Sequence, residues 1–249
     1  MREILPDENS PQPLYIAGYN NGLEITGVLD YCQARAIWLD TGTEGILLIS
    51  IDCIALDSGT VARIRNELAD LPNCASVNVI STHTHASPDT LGMWGPVGIN
   101  GKNEVYMDAL IQAAAGAARE AAGSTKPGIL HYGWIETENM IRDSRNPAVY
   151  EEQLFQLRFV PKDGSSGTRV MLYGAHAEAL RGSNTLLSRD YPGLLCDQVE
   201  AATGDRALFL PGSIGGLIMT KEFVADTDTQ AVRNLTITAE RLTNVVLSI

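Results

Sequence analysis

The order of elements between residues 33 and 81 restricts the fold more than any other feature of the sequence. Residues 33–39 and 45–51 are apolar runs rich in strand formers, joined by the turn Asp40-Thr41-Gly42-Thr43-Glu44, which predicts a hairpin. Ser58 then stands as the N-cap of a helix of about a dozen residues reaching Ala69, and Leu71-Pro72-Asn73 supplies the stop. A buried strand follows at 75–81. Strand, helix and strand in succession predict a βαβ-like unit with a helix packed on a sheet.

The rest of the chain continues this pattern. The Ala-rich stretch 104–122, with Tyr106, Leu110, Ala113, Ala114 and Ala117 along one stripe, reads as a helix seated closely on a sheet. Residues 128–135, 153–160 and 169–173 read as strands, the last two joined by a turn at 161–167. A helix follows Asp190-Tyr191-Pro192, with Asp190 as N-cap and Pro192 in the first turn; then come a short strand at 207–210 and a closing helix at 226–246. Because hairpins interrupt the alternation, the expectation is an α/β fold in which a mixed β-sheet is flanked by helices, rather than an eight-fold parallel barrel. A chain of 249 residues, 45% of them hydrophobic, suits a single layered domain over 1–249. The glycine-rich segment 91–101 is neither helix nor strand and reads as a flap or as a long connection. It is no phosphate loop, since GxxxxGK[ST] is absent and Lys102 lies outside it.

A formal charge of −12 with no clustered basic face argues against nucleic acid as a partner. No run of about 18 apolar residues is present and residues 1–9 hold no apolar signal core, so the expectation is a chain without a transmembrane segment, located in the cytoplasm. Cys32, Cys53, Cys74 and Cys196 are too scattered for a zinc ribbon or a disulfide framework and read as free thiols. A cysteine nucleophile at Cys53 is not expected.

Chemistry concentrates on three histidines. His83 and His85, in Val79-Ile80-Ser81-Thr82-His83-Thr84-His85-Ala86-Ser87-Pro88-Asp89, stand two apart where an apolar run becomes a loop. In an extended chain both rings point to one face and can share an ion or divide the work of ligand and proton carrier. His176 occupies the same situation at the end of Val170-Met171-Leu172-Tyr173. A plain polar loop, with the imidazoles bonded to Thr82, Thr84 and Ser87, is the competing reading.

The run His176-Ala177-Glu178-Ala179-Leu180 through Asn184-Thr185-Leu186-Leu187-Ser188-Arg189-Asp190-Tyr191-Pro192-Gly193, together with Ser81-Thr82-His83-Thr84-His85, resembles the neutral/alkaline (non-lysosomal) ceramidase superfamily of zinc amide hydrolases. Ala34-Arg35-Ala36, Ser50-Ile51-Asp52 and Phe209-Leu210-Pro211-Gly212-Ser213-Ile214-Gly215-Gly216 match in the same order, and the likeness is to a shortened N-terminal part of the family's catalytic domain. It implies Zn2+ held by His83 and His176, with His85 beside it as proton carrier or transition-state stabiliser. It also implies an arginine near the substrate, either Arg142 or Arg145, whose ordinary reading is an ion pair with Asp143. In the family a glutamate and a tyrosine from a later stretch complete the zinc shell; here Asp52, Glu178 or Asp190 would have to substitute, and Asp190 is equally an N-cap.

Three function classes follow. One is a zinc-dependent hydrolase of an amide (ceramide-like or N-acyl) or a related carbonyl bond in a small-molecule substrate. Another is a shortened, non-catalytic relative that binds a ligand or partner without turnover. The third is an unrelated HxH metalloenzyme, but the HxHxDH pattern needs an acid where Ser87 stands. A shortened domain would expose surface, and a homo-oligomer is one way to cover it.

Overall fold

The computed structural model describes residues 1–7, 10–219 and 228–249. The elements run β1 (Arg2–Glu3), β2 (Gly27–Val28), β3 (Gln33–Asp40), β4 (Gly45–Ile51), α1 (Ser58–Glu67), β5 (Cys74–Ser81), α2 (Glu104–Ala122) and β6 (Gly128–Glu136). They continue with β7 (Ile141–Asp143), β8 (Gln153–Pro161), β9 (Thr168–Tyr173), β10 (Leu186–Leu187), α3 (Asp190–Thr203), β11 (Arg206–Pro211), β12 (Leu217–Met219) and α4 (Asp228–Ser248). Asp226 and Thr227, placed by the sequence in the last helix, lie outside the described residues.

Two compact units emerge, residues 1–125 with 185–189, and residues 126–184 with 190–249. Each carries a four-stranded mixed sheet with helices against it, so the chain is α/β as its pattern implied.

In the first unit the sheet order is β1-β3-β4-β5. β3 and β4 are the expected hairpin, Ala34 opposite Ile51 and Asp40 opposite Gly45, and β4 runs parallel to β5 with α1 as the crossover. Helix α2 lies on β3 and β4, where Leu110, Ala114, Ala117 and Ala118 meet Ala34, Leu47, Ile49 and Ile51, all with 1% exposure or less. Small side chains let the helix backbone approach the sheet, and each larger apolar side chain buried there stabilises by about 1.5–3 kcal/mol. The cap of α1 differs from expectation. Asp57 is the N-cap, its Oδ1 accepting the Thr60 N–H at 2.7 Å, and Ser58 is the first helical residue. The Lys102 ammonium on the other oxygen, followed by the Thr60 N–H, lowers this carboxyl to about 2. A carboxylate at the positive end of a helix outcompetes a neighbouring hydroxyl as cap.

In the second unit the order is β11-β9-β8-β6. β9 and β11 are parallel with α3 between them, whereas β8 is antiparallel to both β9 and β6. α3 packs on β11 and α4 on α3. Arg169, 6% exposed, donates to Asp205 Oδ2 at 2.8 Å and to Gln156 Oε1 at 2.8 Å, so the buried charge is paired.

A second buried carboxyl sets the pH response of the first unit. Asp52, 5% exposed, accepts the Gln33 N–H at 3.0 Å, and burial pushes it up to about 6 against the lowering effect of the Arg189 and Arg35 guanidiniums. Its folded value lies above its unfolded one, so the proton is bound more tightly in the folded chain. The stabilisation is therefore complete below about pH 4 and lost as pH rises through about 6, with a swing on the order of 2–3 kcal/mol. Urea melts at pH 4 and pH 7 are expected to show this swing in the wild type and to lose it in Asp52→Asn, whose amide oxygen still accepts from Gln33; an unchanged swing in the variant would assign it to other groups.

Candidate metal centre

His83 follows the end of β5, but not in an extended conformation. Its φ is +64°, a left-handed geometry that a branched residue resists and histidine tolerates at a cost of order 1 kcal/mol. Two hydrogen bonds hold it there. The main-chain N–H donates to the Cys53 carbonyl at 3.0 Å, and Nδ1 lies 2.7 Å from the Ile54 carbonyl. A carbonyl accepts only, so Nδ1 carries the hydrogen and Nε2 is the ring nitrogen turned to other partners. His85 meets it there, with the two Nε2 atoms 3.2 Å apart and the rings edge to face. At that distance two imidazoles share either one proton or one cation. The convergence expected from the sequence is present, yet a left-handed kink produces it rather than the pleat of a strand.

The loop behind His85 is tightly built. The Ala17 N–H donates to Ser87 O, the Asp89 N–H to Tyr15 O, and the Tyr19 ring stands edge-on to His85 at 5.2 Å. Gly18 has φ +109°, and a Cβ there would lie 2.6 Å from His85 Nδ1. Asp89, 1% exposed, accepts the N–H groups of Leu91, Gly92 and Trp94, while Asn21 donates to Met93 O at 2.7 Å. The glycine-rich segment is thus an anchored connection.

In the second unit His176 is held in the same manner. It lies three residues beyond β9, and the Leu217 carbonyl accepts both its main-chain N–H at 2.9 Å and its Nδ1 hydrogen at 2.8 Å. Nδ1 again carries the hydrogen, which leaves Nε2 as the nitrogen that could ligate. Asp190, 1% exposed and left-handed at φ +54°, stands at the start of α3, where its carboxylate takes up one of the helix's free N–H groups, that of Tyr191. Its oxygens accept from Ala179 at 3.1 Å, Leu180 at 3.1 Å and Tyr191 at 2.7 Å, and Tyr191 Oη donates to Ala175 O at 2.8 Å. That carboxylate ties the start of α3 to Ala179 and Leu180, three and four residues beyond His176.

The two arginines differ. Arg145 is tied to Asp143, Nε to Oδ1 at 3.1 Å and its own N–H to the same oxygen at 3.0 Å, and these bonds together with one from the Val149 N–H hold that carboxyl down at about 2. Arg142 enters no ion pair among the described residues. It is opposed to Ile218 across the β7–β12 pair, and Ile218 is bridged on its other side to His176. Directly opposed residues share a face, so Arg142 and His176 flank Ile218 about two strand spacings of ~4.8 Å apart, within reach of an arginine side chain.

With this architecture in place, comparison with solved structures is decisive for the fold. Neutral ceramidase from Pseudomonas aeruginosa matches all of this chain with a TM-score of 0.85 at 18% identity. The fold is that of part of neutral ceramidase. A structure described as ceramidase complexed with C2 matches the whole chain with a TM-score of 0.83 at 20% identity. The chain spans 43% and 42% of those two structures. No family model and no curated protein matches the sequence.

The sequence singled out the histidines and the arginine pair but gave no sign of the Ile54 and Leu217 carbonyls, which carry no side-chain signal. Gly18 and Tyr19 were also missed, although a glycine ahead of an aromatic in an otherwise apolar entry, Tyr15-Ile16-Ala17-Gly18-Tyr19, is a signal of close approach. Gly18→Ala is expected to displace the His85 ring and destabilise the fold by about 1–3 kcal/mol, read as a lowered melting temperature and a shifted His85 imidazole resonance. An unperturbed resonance would mean that the loop yields instead.

Proposed function

We propose that this chain is a zinc-dependent hydrolase acting on an amide of N-acyl type, or on a related carbonyl bond, in a lipid-like small molecule. The observation that carries the reading is the matched preparation of His83 and His176: each gives its Nδ1 hydrogen to a main-chain carbonyl, which leaves Nε2 as the nitrogen able to ligate a metal. That donor set fits zinc, and fixing the tautomer through the second nitrogen is how ligating histidines are oriented. The likeness in fold to neutral ceramidase supports the same chemistry.

When bound, zinc would supply a Lewis acid that lowers the pKa of a water to about 7 and polarises a carbonyl. His83 and His176 would hold it. His85, its Nε2 beside that of His83, takes the proton of the attacking water and returns it to the leaving amine. The Arg142 guanidinium pairs with the charge that grows on the carbonyl oxygen. Arg145 keeps Asp143 and the turn at Gly216 in place, since a Cβ on Gly216 would lie 2.3 Å from Arg145 Nε. Asp190 acts by holding the His176 loop. No helix among the described residues is long and apolar enough to cross a membrane.

Elemental analysis of the purified chain should give about one zinc, lost in His83→Ala and in His176→Ala and retained in His85→Ala, whose hydrolysis of a short N-acyl amide should fall by about 10²–10⁴-fold. A wild type that stays metal-free after zinc is added back would overturn the proposal. Metal without turnover would leave only a binding role. Arg142→Ala should lower kcat by about 10²-fold or more while Arg145→Ala mainly lowers thermal stability; equal kinetic losses would reject the division of labour between them.

A further inference from the structure

His85 stands between two residues that one distant segment holds. Thr84 and Ala86 on either side of it are buried, whereas His85 is half-buried. The Thr84 hydroxyl donates to the Ser188 carbonyl at 3.1 Å and accepts the Ala86 N–H at 3.2 Å, while the Ser188 N–H donates to the Ala86 carbonyl at 2.9 Å. A hydroxyl has one hydrogen to give, and at Thr84 it goes to a buried carbonyl 104 residues away. Ser188 is itself fixed. Its hydroxyl donates to Asp30 Oδ2 at 2.7 Å, and the Arg189 N–H and Nε donate to Asp30 Oδ1 at 2.9 and 2.8 Å, so one carboxylate holds two successive residues. All of these residues belong to the first unit.

We propose that Thr84 is a positioning residue for His85: its hydroxyl, through Ser188, fixes the place from which the imidazole moves a proton. The inference rests on the reading of His85 as proton carrier. A proton carrier works only where its nitrogen lies within hydrogen-bond reach of the reacting group, and a misplacement of about 1 Å costs on the order of 10²-fold in rate. Tyr19, edge-on at 5.2 Å, and Gly18, which leaves no room for a Cβ beside Nδ1, limit where the ring can lie. The main chain that carries the ring is set by the bonds at 84 and 86, on both sides of it. Valine at position 84 has nearly the shape of threonine but neither gives nor accepts a hydrogen bond, so the Ser188 carbonyl and the Ala86 N–H both lose the hydroxyl in a buried place. Finding them other partners means shifting the 84–86 segment, and His85 moves with it. Serine keeps both bonds.

The His85 imidazole resonance, assigned by its loss in His85→Ala, is expected to shift or broaden in Thr84→Val and to return in Thr84→Ser, with the His131 resonance and the far-UV circular dichroism spectrum unchanged in both. In the zinc-loaded chain Thr84→Val should lower kcat toward a short N-acyl amide by about 10–10²-fold at unchanged KM and zinc content, and Thr84→Ser should restore it. The double variant separates positioning from general damage. Added to His85→Ala, Thr84→Val should cost no more than about two-fold, since a residue that acts through His85 has nothing left to place. An unmoved His85 resonance in Thr84→Val, or an equal loss of kcat with and without His85, would overturn the proposal. A wild type that holds zinc without turnover would sink the hydrolase reading alone, and the resonance then decides whether Thr84 places His85.

Discussion

The bond from a histidine Nδ1 to a main-chain carbonyl governs everything else at this centre. His83 gives its hydrogen to Ile54 and His176 gives its own to Leu217. A carbonyl cannot donate, so the tautomer is decided before any ligand arrives, and the ring plane is fixed with it. Around each bond the chain is shaped to keep the acceptor in place. Ile54 follows the buried end of β4, and Leu217 opens β12, which β7 pins from the other side.

Backbone geometry that looks unfavourable in isolation is explained by these bonds. His83 and Asp190 are both left-handed, at +64° and +54°; the His83 N–H is accepted by the Cys53 carbonyl, and the Asp190 carboxylate accepts from Ala179, Leu180 and Tyr191. The strain at His83 turns its ring back toward His85. Asp190, by gathering three N–H groups, ties Ala179 and Leu180 to the start of α3. The cost is local and small, about 1 kcal/mol at each position, against several hydrogen bonds of similar individual worth.

Much of the architecture was legible because it is periodic. The hairpin 33–51, the helix at 104–122 and the strands around 153–173 all lie within a residue or two of their expected bounds, since burying one face demands a repeat that the sequence shows. The two- and three-residue strands β1, β2, β7, β10 and β12 were not legible. They are too short for a period, and their partners lie far away in sequence. At the candidate site the histidines stood out by their spacing and the arginine pair by the family resemblance. The orientation of the histidines could not be read, because it depends on the Ile54 and Leu217 carbonyls and on the room left by Gly18. The two arginines read alike in the sequence, and only the folded chain shows Asp143 clasping Arg145.

The five residues from Thr185 to Arg189 belong with the first 125, where Leu186 and Leu187 pair with Gly27 and Val28, and Arg189 grips Asp30 at 2.8 Å. The first unit is therefore closed by a segment made some sixty residues after its last helix. On a ribosome that emits the chain from its N-terminus, this unit must wait, its Asp30 and Cys32 corner still open, while much of the second is synthesised. Contacts of such sequence separation are slow to form because loop closure must be met before they reward it. Assembly order, and with it exposure to proteases and chaperones during synthesis, is thus written into a strand only two residues long.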